Sequence, residues 1–460
     1  MKTTFIDNVA ALHERYRAAS PRSRECFEQG RAVMCGAAKG AYFYEPYPLM
    51  MQRGEGCFLY DVDGQRFVDF ANHHTAQVLG HRHPAVDEAV REQLERGIVL
   101  GAPLGIEAEL SQEMCRRVAS LDRIRFCNSG TEATLHAIRL ARGFSGRPKI
   151  AKFEGGYHGS HDVVEVSVSP PLDKAGTETE PNSVPTAGGI SPNAAKEVVV
   201  LPYDDEASVE RLVTRHRHEL ACVIFDPKAG FLPQRKEFGK SLREITRKND
   251  VLLILDEIVS FRVGVGGFQE CYEITPDLTT FGKLIGGGFP VGAFGGRADV
   301  MDLFDNTRGS TGFFQSGTFS AHPVTMAAGL ATLKQLTPDA FTHLNDLGDR
   351  LRTGLNELFD RNSIAARAVG IGSLFSIHFT DEDVVNYRSL ARTDKTMIHP
   401  LFLGLLEQGQ FLSHGLSMNA LSLPMQTRHI DGLIDAVGHV LAWEGSSNAE
   451  SDAVAVREVA

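Results

Sequence analysis

The apolar run at residues 251–255 constrains this chain most. It reads Val-Leu-Leu-Ile-Leu, a short continuous stretch that suits a strand buried on both faces, as in a parallel sheet. The run ends on Asp256 and Glu257. Ligands of open α/β sheets sit beyond the carboxyl ends of strands, so a carboxylate there is well placed for chemistry. A second feature follows: Lys283 stands between Gly282 and Leu284-Ile285-Gly286-Gly287-Gly288. Such neighbours allow close approach of another group, and partial desolvation would depress the amine's pKa and make it nucleophilic. A strand-end aspartate with a glycine-flanked lysine suggests pyridoxal phosphate. The lysine would form the Schiff base, and the aspartate would keep the pyridine nitrogen protonated so that the ring acts as an electron sink. Taken singly, a surface lysine and a helix-capping aspartate account for the same residues.

Around this pair, strand and helix patterns alternate from about residue 123 to 296. Strands are expected at 123–127, 149–153, 198–201 and 221–225, and a helix at 238–248. This alternation predicts an α/β fold with a mainly parallel, helix-covered sheet. The first strand leads into Asn128-Ser129-Gly130-Thr131-Glu132-Ala133 and an amphipathic helix with Gly143 as its cap. Small residues at a helix N-terminus make an anion site suited to phosphate, although Ser129 or Thr131 could equally be an ordinary N-cap. After the second strand comes Glu154-Gly155-Gly156-Tyr157-His158-Gly159-Ser160-His161. Tyr157 could stack on a planar ring. His158 and His161 lack a carboxylate or cysteine at ligand spacing, which argues against a metal. Residues 165–196 are rich in Pro, Ser, Thr and Gly, and are expected to form a mobile lid. A second Ser-Gly-Thr turn at Ser316-Gly317-Thr318 precedes a helix from about Val324.

The flanks are simpler. Helices are expected at 5–19, 84–97 and 107–119, and a hairpin turns on Asp63-Gly64. Thr337-Pro338 starts a helix whose stripe of Phe341, Leu344, Leu347, Leu351, Leu355 and Leu358 reads as core. The tail from Gly445 is small and polar, which predicts disorder. With 460 residues there is ample material for two domains. The expected division is an N-terminal segment 1–75, a large cofactor-binding domain 76–336, a small α+β domain 337–444 and the tail 445–460. A net charge of −11 disfavours nucleic acid or an anionic membrane as partner. No apolar run approaches membrane-span length and no h-region opens the chain. The 7 cysteines are scattered, as in a reduced cytoplasmic protein.

Together these motifs make the chain resemble a class III, fold type I pyridoxal-phosphate aminotransferase, on the branch of the glutamate-1-semialdehyde aminomutases and β-amino-acid aminotransferases. The carriers are NSGTEA with AIRLARG, GGYHG, LLILDE, PDLTTFGKLIGGGFPVGAFGGRADVM and SGTFS with MAAG. The resemblance implies pyridoxal 5'-phosphate, with Lys283 as the Schiff-base lysine and proton shuttle and Asp256 on the pyridine nitrogen. It implies Ile258 on one ring face and Tyr157 on the other, His158 beside the cofactor, and Ser129, Gly130 and Thr131 around the phosphate. Thr318 would reach the phosphate of a neighbouring subunit, because the family's sites lie at a dimer interface. Lys39 and Tyr44 would face the substrate.

Four departures bear on the substrate. The usual Glu-Pro pair and amide partner of the cofactor phenol oxygen is replaced by Asp226-Pro227-Lys228-Ala229-Gly230-Phe231. His322 stands where asparagine is common before proline. The aminomutases carry an acidic residue near Met418, yet 411–424 has no Asp or Glu. The β-amino-acid enzymes carry an arginine at the place of Lys39 and another near Leu416, where none stands here. These departures argue against the aminomutase itself and against the usual β-amino acid, and the expected activity is ping-pong transamination from an amino donor to a carbonyl acceptor, a β-keto acid or a less common ketone or aldehyde. A 2,1-aminomutase is the alternative, and a non-catalytic binding protein with the same fold is the more remote one.

Overall fold

The structure is a computed structural model and describes residues 9–36, 42–227, 231–232, 235–309 and 312–442. The expected tail and Lys39 lie outside these residues. An antiparallel meander comes first: β1 (Met51–Glu55), β2 (Phe58–Asp61) and β3 (Arg66–Asp69). The β2–β3 hairpin is the one read from Asp63-Gly64, and Gly64 takes a left-handed φ of 89° there.

The central sheet has seven strands: β4 (Arg123–Cys127), β5 (Lys149–Phe153), β6 (Val198–Leu201), β7 (Leu220–Phe225), β8 (Leu252–Asp256), β9 (Leu278–Gly282) and β10 (Gly292–Gly296). Their spatial order is β4-β10-β9-β8-β7-β5-β6. All pairings are parallel except those of β10, which runs antiparallel between β4 and β9. Every residue of β7, β8, β9 and β10 is buried, which is why β7 and β8 read as nearly continuous apolar runs instead of alternating ones.

The period of two decides where chemistry can sit. In β8, Leu253 and Leu255 join one core cluster with Val223, Phe225 and Phe238. Leu252 and Ile254 join another with Ala137, Ile138 and Ala141 of the helix Gly130–Ser145. Asp256 shares the parity of Ile254, so its carboxylate falls on the face covered by that helix.

The C-terminal part adds a long helix, Pro338–Arg361, capped by Thr337 Oγ1 accepting from Ala340 N. Its apolar stripe is buried as expected. β11 (Arg367–Val369) and β12 (Leu374–His378) pair antiparallel. β13 (Gln410–Phe411) runs parallel to β3, and β14 (Asn419–Ala420) adds to β12. Both ends of the chain thus share one core, where Leu12 and Tyr16 pack with Leu403 and Leu406.

Two expectations need correction. Gly143 does not end its helix: the helix continues to Ser145, and Gly146, at φ 68°, is the left-handed cap. Gly143 is small for packing, since a Cβ there would lie 1.9 Å from the Phe313 ring. Residues 165–196 are not built as a lid. The segment is irregular but fastened: Val166 bridges Pro185, Gly176 bridges Pro181, and Val166, Ser167 and Ala175 are fully buried.

One feature had no sequence signal. Asn72, His73, His74 and Thr75 all have positive φ, from 46° to 74°. Such a left-handed turn of non-glycine residues is strained and persists only when its surroundings hold it. Here Asn72 N donates to Asp69 Oδ1 at 2.8 Å, and the buried Arg262 donates to Asn72 Oδ1 at 2.9 Å and to the Thr75 carbonyl. Arg262 also reaches Ser373 Oγ at 3.0 Å and the Leu421 carbonyl, so one guanidinium joins three distant segments.

Candidate active site

The carboxyl ends of β4, β5, β7, β8 and β9 release, in turn, the Ser129 turn, the Tyr157 loop, Asp226, Asp256 and Lys283. The sheet register aligns two of them. Gly292 of β10 pairs with Cys127 on one side and Gly282 on the other, so the last residues of β4 and β9, just ahead of the Ser129 turn and Lys283, belong to one rung. Only glycine fits the centre of that rung, because a Cβ on Gly292 would lie 2.0 Å from the Ser129 carbonyl oxygen.

Lys283 follows Gly282 in a left-handed conformation, φ 50°. Burial lowers its amine pKa below the ordinary lysine value, while the negative charges of Asp256 and Asp226 draw it back up. Asp256 is 4% exposed and well held. Its Oδ1 accepts from Ile258 N at 3.2 Å and Thr280 Oγ1 at 3.1 Å; its Oδ2 lies 2.7 Å from His158 Nδ1. The other ring nitrogen, His158 Nε2, is buried with no hydrogen-bond partner among the described residues. His161 is elsewhere engaged, with Nε2 3.3 Å from Thr134 Oγ1.

At the turn, Ser129 is the N-cap of the helix Gly130–Ser145, its Oγ accepting from Glu132 N at 3.2 Å. Thr131 Oγ1 accepts from Ser160 N at 3.2 Å, which ties this turn to the Tyr157 loop. A Cβ on Gly130 would lie 2.6 Å from Ile258 Cδ1, so the turn and Ile258 share one wall. Tyr157 is 53% exposed. Thr318 is exposed, on a segment anchored by Gln315, which accepts from Arg125 Nε at 2.8 Å and donates to the Phe126 carbonyl at 3.0 Å.

Tyr44 departs from the expectation of a substrate contact. It is 4% exposed, its hydroxyl accepts from Leu49 N at 2.8 Å, and its ring packs on Phe402 and His414. Of the proline-rich aromatic run, Tyr44 and Tyr47 turn inward as core while Phe43 stays exposed. Sequence reasoning placed His158 beside the cofactor but missed its partner, Asp256, 98 positions away. No motif announces Thr280 as a second donor to Asp256 either; only its place on the strand next to β8 could have suggested it.

This arrangement fits pyridoxal phosphate. A buried carboxylate with oriented donors can hold a protonated pyridine nitrogen, a desolvated lysine stands beside it, and a glycine at a helix N-terminus leaves room for a phosphate. Comparison with known proteins agrees. The family described as aminotransferase class-III matches residues 40–423. The chain is 38% identical to a glutamate-1-semialdehyde 2,1-aminomutase of Methanocaldococcus jannaschii, over 85% of this chain and 91% of that protein. It is 40% identical to an omega-transaminase from Sphaerobacter thermophilus, with a TM-score of 0.88 over 92% of this chain and 97% of that one. A beta-phenylalanine aminotransferase from Variovorax paradoxus is 38% identical, with a TM-score of 0.85 over 95% and 97%. With its cofactor, pyridoxal 5'-phosphate, the chain is an enzyme of fold type I and belongs to the class-III aminotransferases.

Proposed function

We propose that this enzyme is a ping-pong aminotransferase that moves nitrogen from an amino donor to a keto or aldehyde acceptor, either a β-keto acid or another, less common carbonyl. The observation that carries this over a mutase is the composition of residues 411–424, the stretch in which the aminomutases carry an acidic residue near the substrate. It holds no Asp or Glu, and Leu412, Leu416 and Leu421 are buried there. Met418 stands where the aminomutases carry their acidic residue.

Bound pyridoxal phosphate supplies an electron sink for the carbanion left when the substrate loses its proton. Asp256, oriented by His158 and Thr280, holds the proton on the pyridine nitrogen. Lys283 takes the substrate proton and returns it at the other carbon, a task suited to an amine with a lowered pKa. Ile258 and Tyr157 would flank the ring of the bound cofactor, and Ser129, Gly130 and Thr131 would hold its phosphate. Residues 76–336 form the cofactor-binding body, with both chain ends in the smaller part.

The working unit is a homodimer in the cytoplasm. Phe314 and Phe319, 79% and 58% exposed, flank the exposed Thr318, and Ile98, Val99 and Leu100 are each about half exposed. A second copy covering these side chains would bring Thr318 to its neighbour's phosphate. Among the described residues no helix is long and apolar enough to cross a membrane.

The test is a half-reaction. The lysine-bound cofactor has a visible absorbance band, which a true donor from a panel of amines and amino acids will bleach and an acceptor will restore, with no change in Lys283→Ala. Conversion of glutamate-1-semialdehyde without any added acceptor would instead establish the aminomutase, which the identity to the Methanocaldococcus enzyme favours.

A further inference from the structure

Arg388 makes more charge-assisted contacts than any motif foretells. It sits in the helix Tyr387–Arg392, which Asn386 opens through a reciprocal cap with Ser389. Its buried guanidinium meets the buried Glu154 carboxylate as a fork, Nε to Oε2 at 2.9 Å and Nη2 to Oε1 at 3.0 Å. It also donates to three successive carbonyls, Ala175 at 3.0 Å, Gly176 at 3.0 Å and Thr177 at 2.8 Å. This contact set fastens the 165–196 segment, and a lysine has neither the donors nor the planar geometry to reproduce it.

The preceding helix residue engages the next loop residue. A Cβ on Gly155, at φ 77°, would lie 2.7 Å from Tyr387 Cβ, and Tyr387 donates its hydroxyl to Pro170 O at 2.7 Å. Tyr387 and Arg388 therefore register with Gly155 and Glu154. Those two residues begin the turn closed by Gly155 N on Ser167 O and Gly156 N on Phe153 O, both 2.9 Å. The far end of the turn is His158, against Asp256.

We infer that Arg388 is a positioning residue for the cofactor ring: by fixing Glu154, it sets where Tyr157 and His158 stand and ties the C-terminal segment to the Asp256 carboxylate. The inference rests on the ring roles proposed above for Tyr157, His158 and Asp256. A bridge that only stabilised the fold would leave the ring environment unchanged, so the two roles separate experimentally.

The experiment measures pyridoxal phosphate affinity of the apoenzyme and the pH midpoint of the holoenzyme's visible band. The variants are Arg388→Lys, Arg388→Met and Glu154→Gln, with His158→Gln as the site control and the apoenzyme's melting temperature as the stability readout. Each Arg388 and Glu154 variant should bind cofactor about tenfold more weakly, the scale of one charge-assisted hydrogen bond. Their pH midpoints should move in the same direction as in His158→Gln, and Arg388→Lys should not restore them. A lowered melting temperature with unchanged affinity and midpoint would overturn the inference. Where Arg388→Met does not fold, Glu154→Gln decides, since it keeps the partner's size. An unchanged midpoint in His158→Gln would reject the ring-site reading itself, and this inference with it.

Discussion

His158 Nδ1 lies 2.7 Å from Asp256 Oδ2, and the two side chains are 0% and 4% exposed. A carboxylate so held cannot rotate away from its ligand, and the imidazole has one tautomer available while it donates through Nδ1. Asp256→Asn should lower kcat by about 10²-fold or more, as when a preorganised electrostatic partner is lost. His158→Gln should cost less, about 10–100-fold, the scale of an outer partner that orients an inner one. Steady-state kinetics on the donor found in the half-reaction will check both. In the apoenzyme, Asp256→Asn should also lower the Lys283 pKa further, because it removes a charge that raises it. Isotope-labelled methylation of the lysine and an NMR titration would show the shift.

Gly130 and Gly292 should respond differently to a single added methyl. Gly292→Ala drives a Cβ into the Ser129 carbonyl between β4 and β9, where backbone has to move. It should destabilise the protein by about 1–3 kcal/mol or more. Gly130→Ala meets the Ile258 side chain, closest at its terminal Cδ1, and a side chain can yield where backbone cannot. Its main effect should be weaker cofactor binding with little loss of apoenzyme stability. Denaturant midpoints with and without cofactor distinguish the two.

Arg262 should tolerate no substitute. Burial pushes its guanidinium pKa down to about 9, so the charge is held with effort, and it forms no carboxylate ion pair among the described residues. Arg262→Met would leave Asn72 Oδ1, the Ser373 hydroxyl and the Thr75 and Leu421 carbonyls short of a donor. The expected loss is about 3–5 kcal/mol. Arg262→Lys should recover little of it. Urea unfolding gives the stability, and protease sensitivity near 72–75 should rise as the left-handed turn relaxes.

Three histidines tie the first described helix to the C-terminal part. His13 Nε2 is 2.9 Å from His399 Nε2, and His399 Nδ1 is 3.1 Å from His414 Nε2. Burial lowers all three pKa values, helped at His399 by the other two rings and at His13 by Arg17, while Glu45 opposes the shift at both. His399 falls from 6.5 to about 4. A lowered folded pKa means the unfolded chain binds more protons, so this contribution is complete above pH 6.5 and is lost as pH falls toward 4. His399→Gln should flatten the loss of stability across that window, as measured by urea midpoints against pH.

What the sequence disclosed follows from how local its signals are. The runs that became β6, β7 and β8 could be read because strands buried on both faces favour uninterrupted apolar residues. Lys283, Asp256 and the Ser129 turn could be read because strand ends and glycines mark them nearby in the chain. Tyr44 was misjudged because an aromatic between prolines can face either a substrate or a core, and only its partners at Phe402 and His414 decide. The 165–196 segment resembled a lid because its anchor, Arg388, comes from beyond the central sheet. The left-handed turn at 72–75 depends on Arg262, and no neighbouring residue announces it.

The rung Cys127–Gly292–Gly282 also limits how this chain can change over time. Side chains in a strand alternate faces, so inserting or deleting one residue in β4, β9 or β10 would turn every following position over. Lys283 or the Ser129 turn would then open onto the wrong side of the sheet, and no compensating point substitution could bring it back. Length variation among descendants of this sequence should therefore collect in the outer loops and at the chain ends. These three strands should drift by replacement alone.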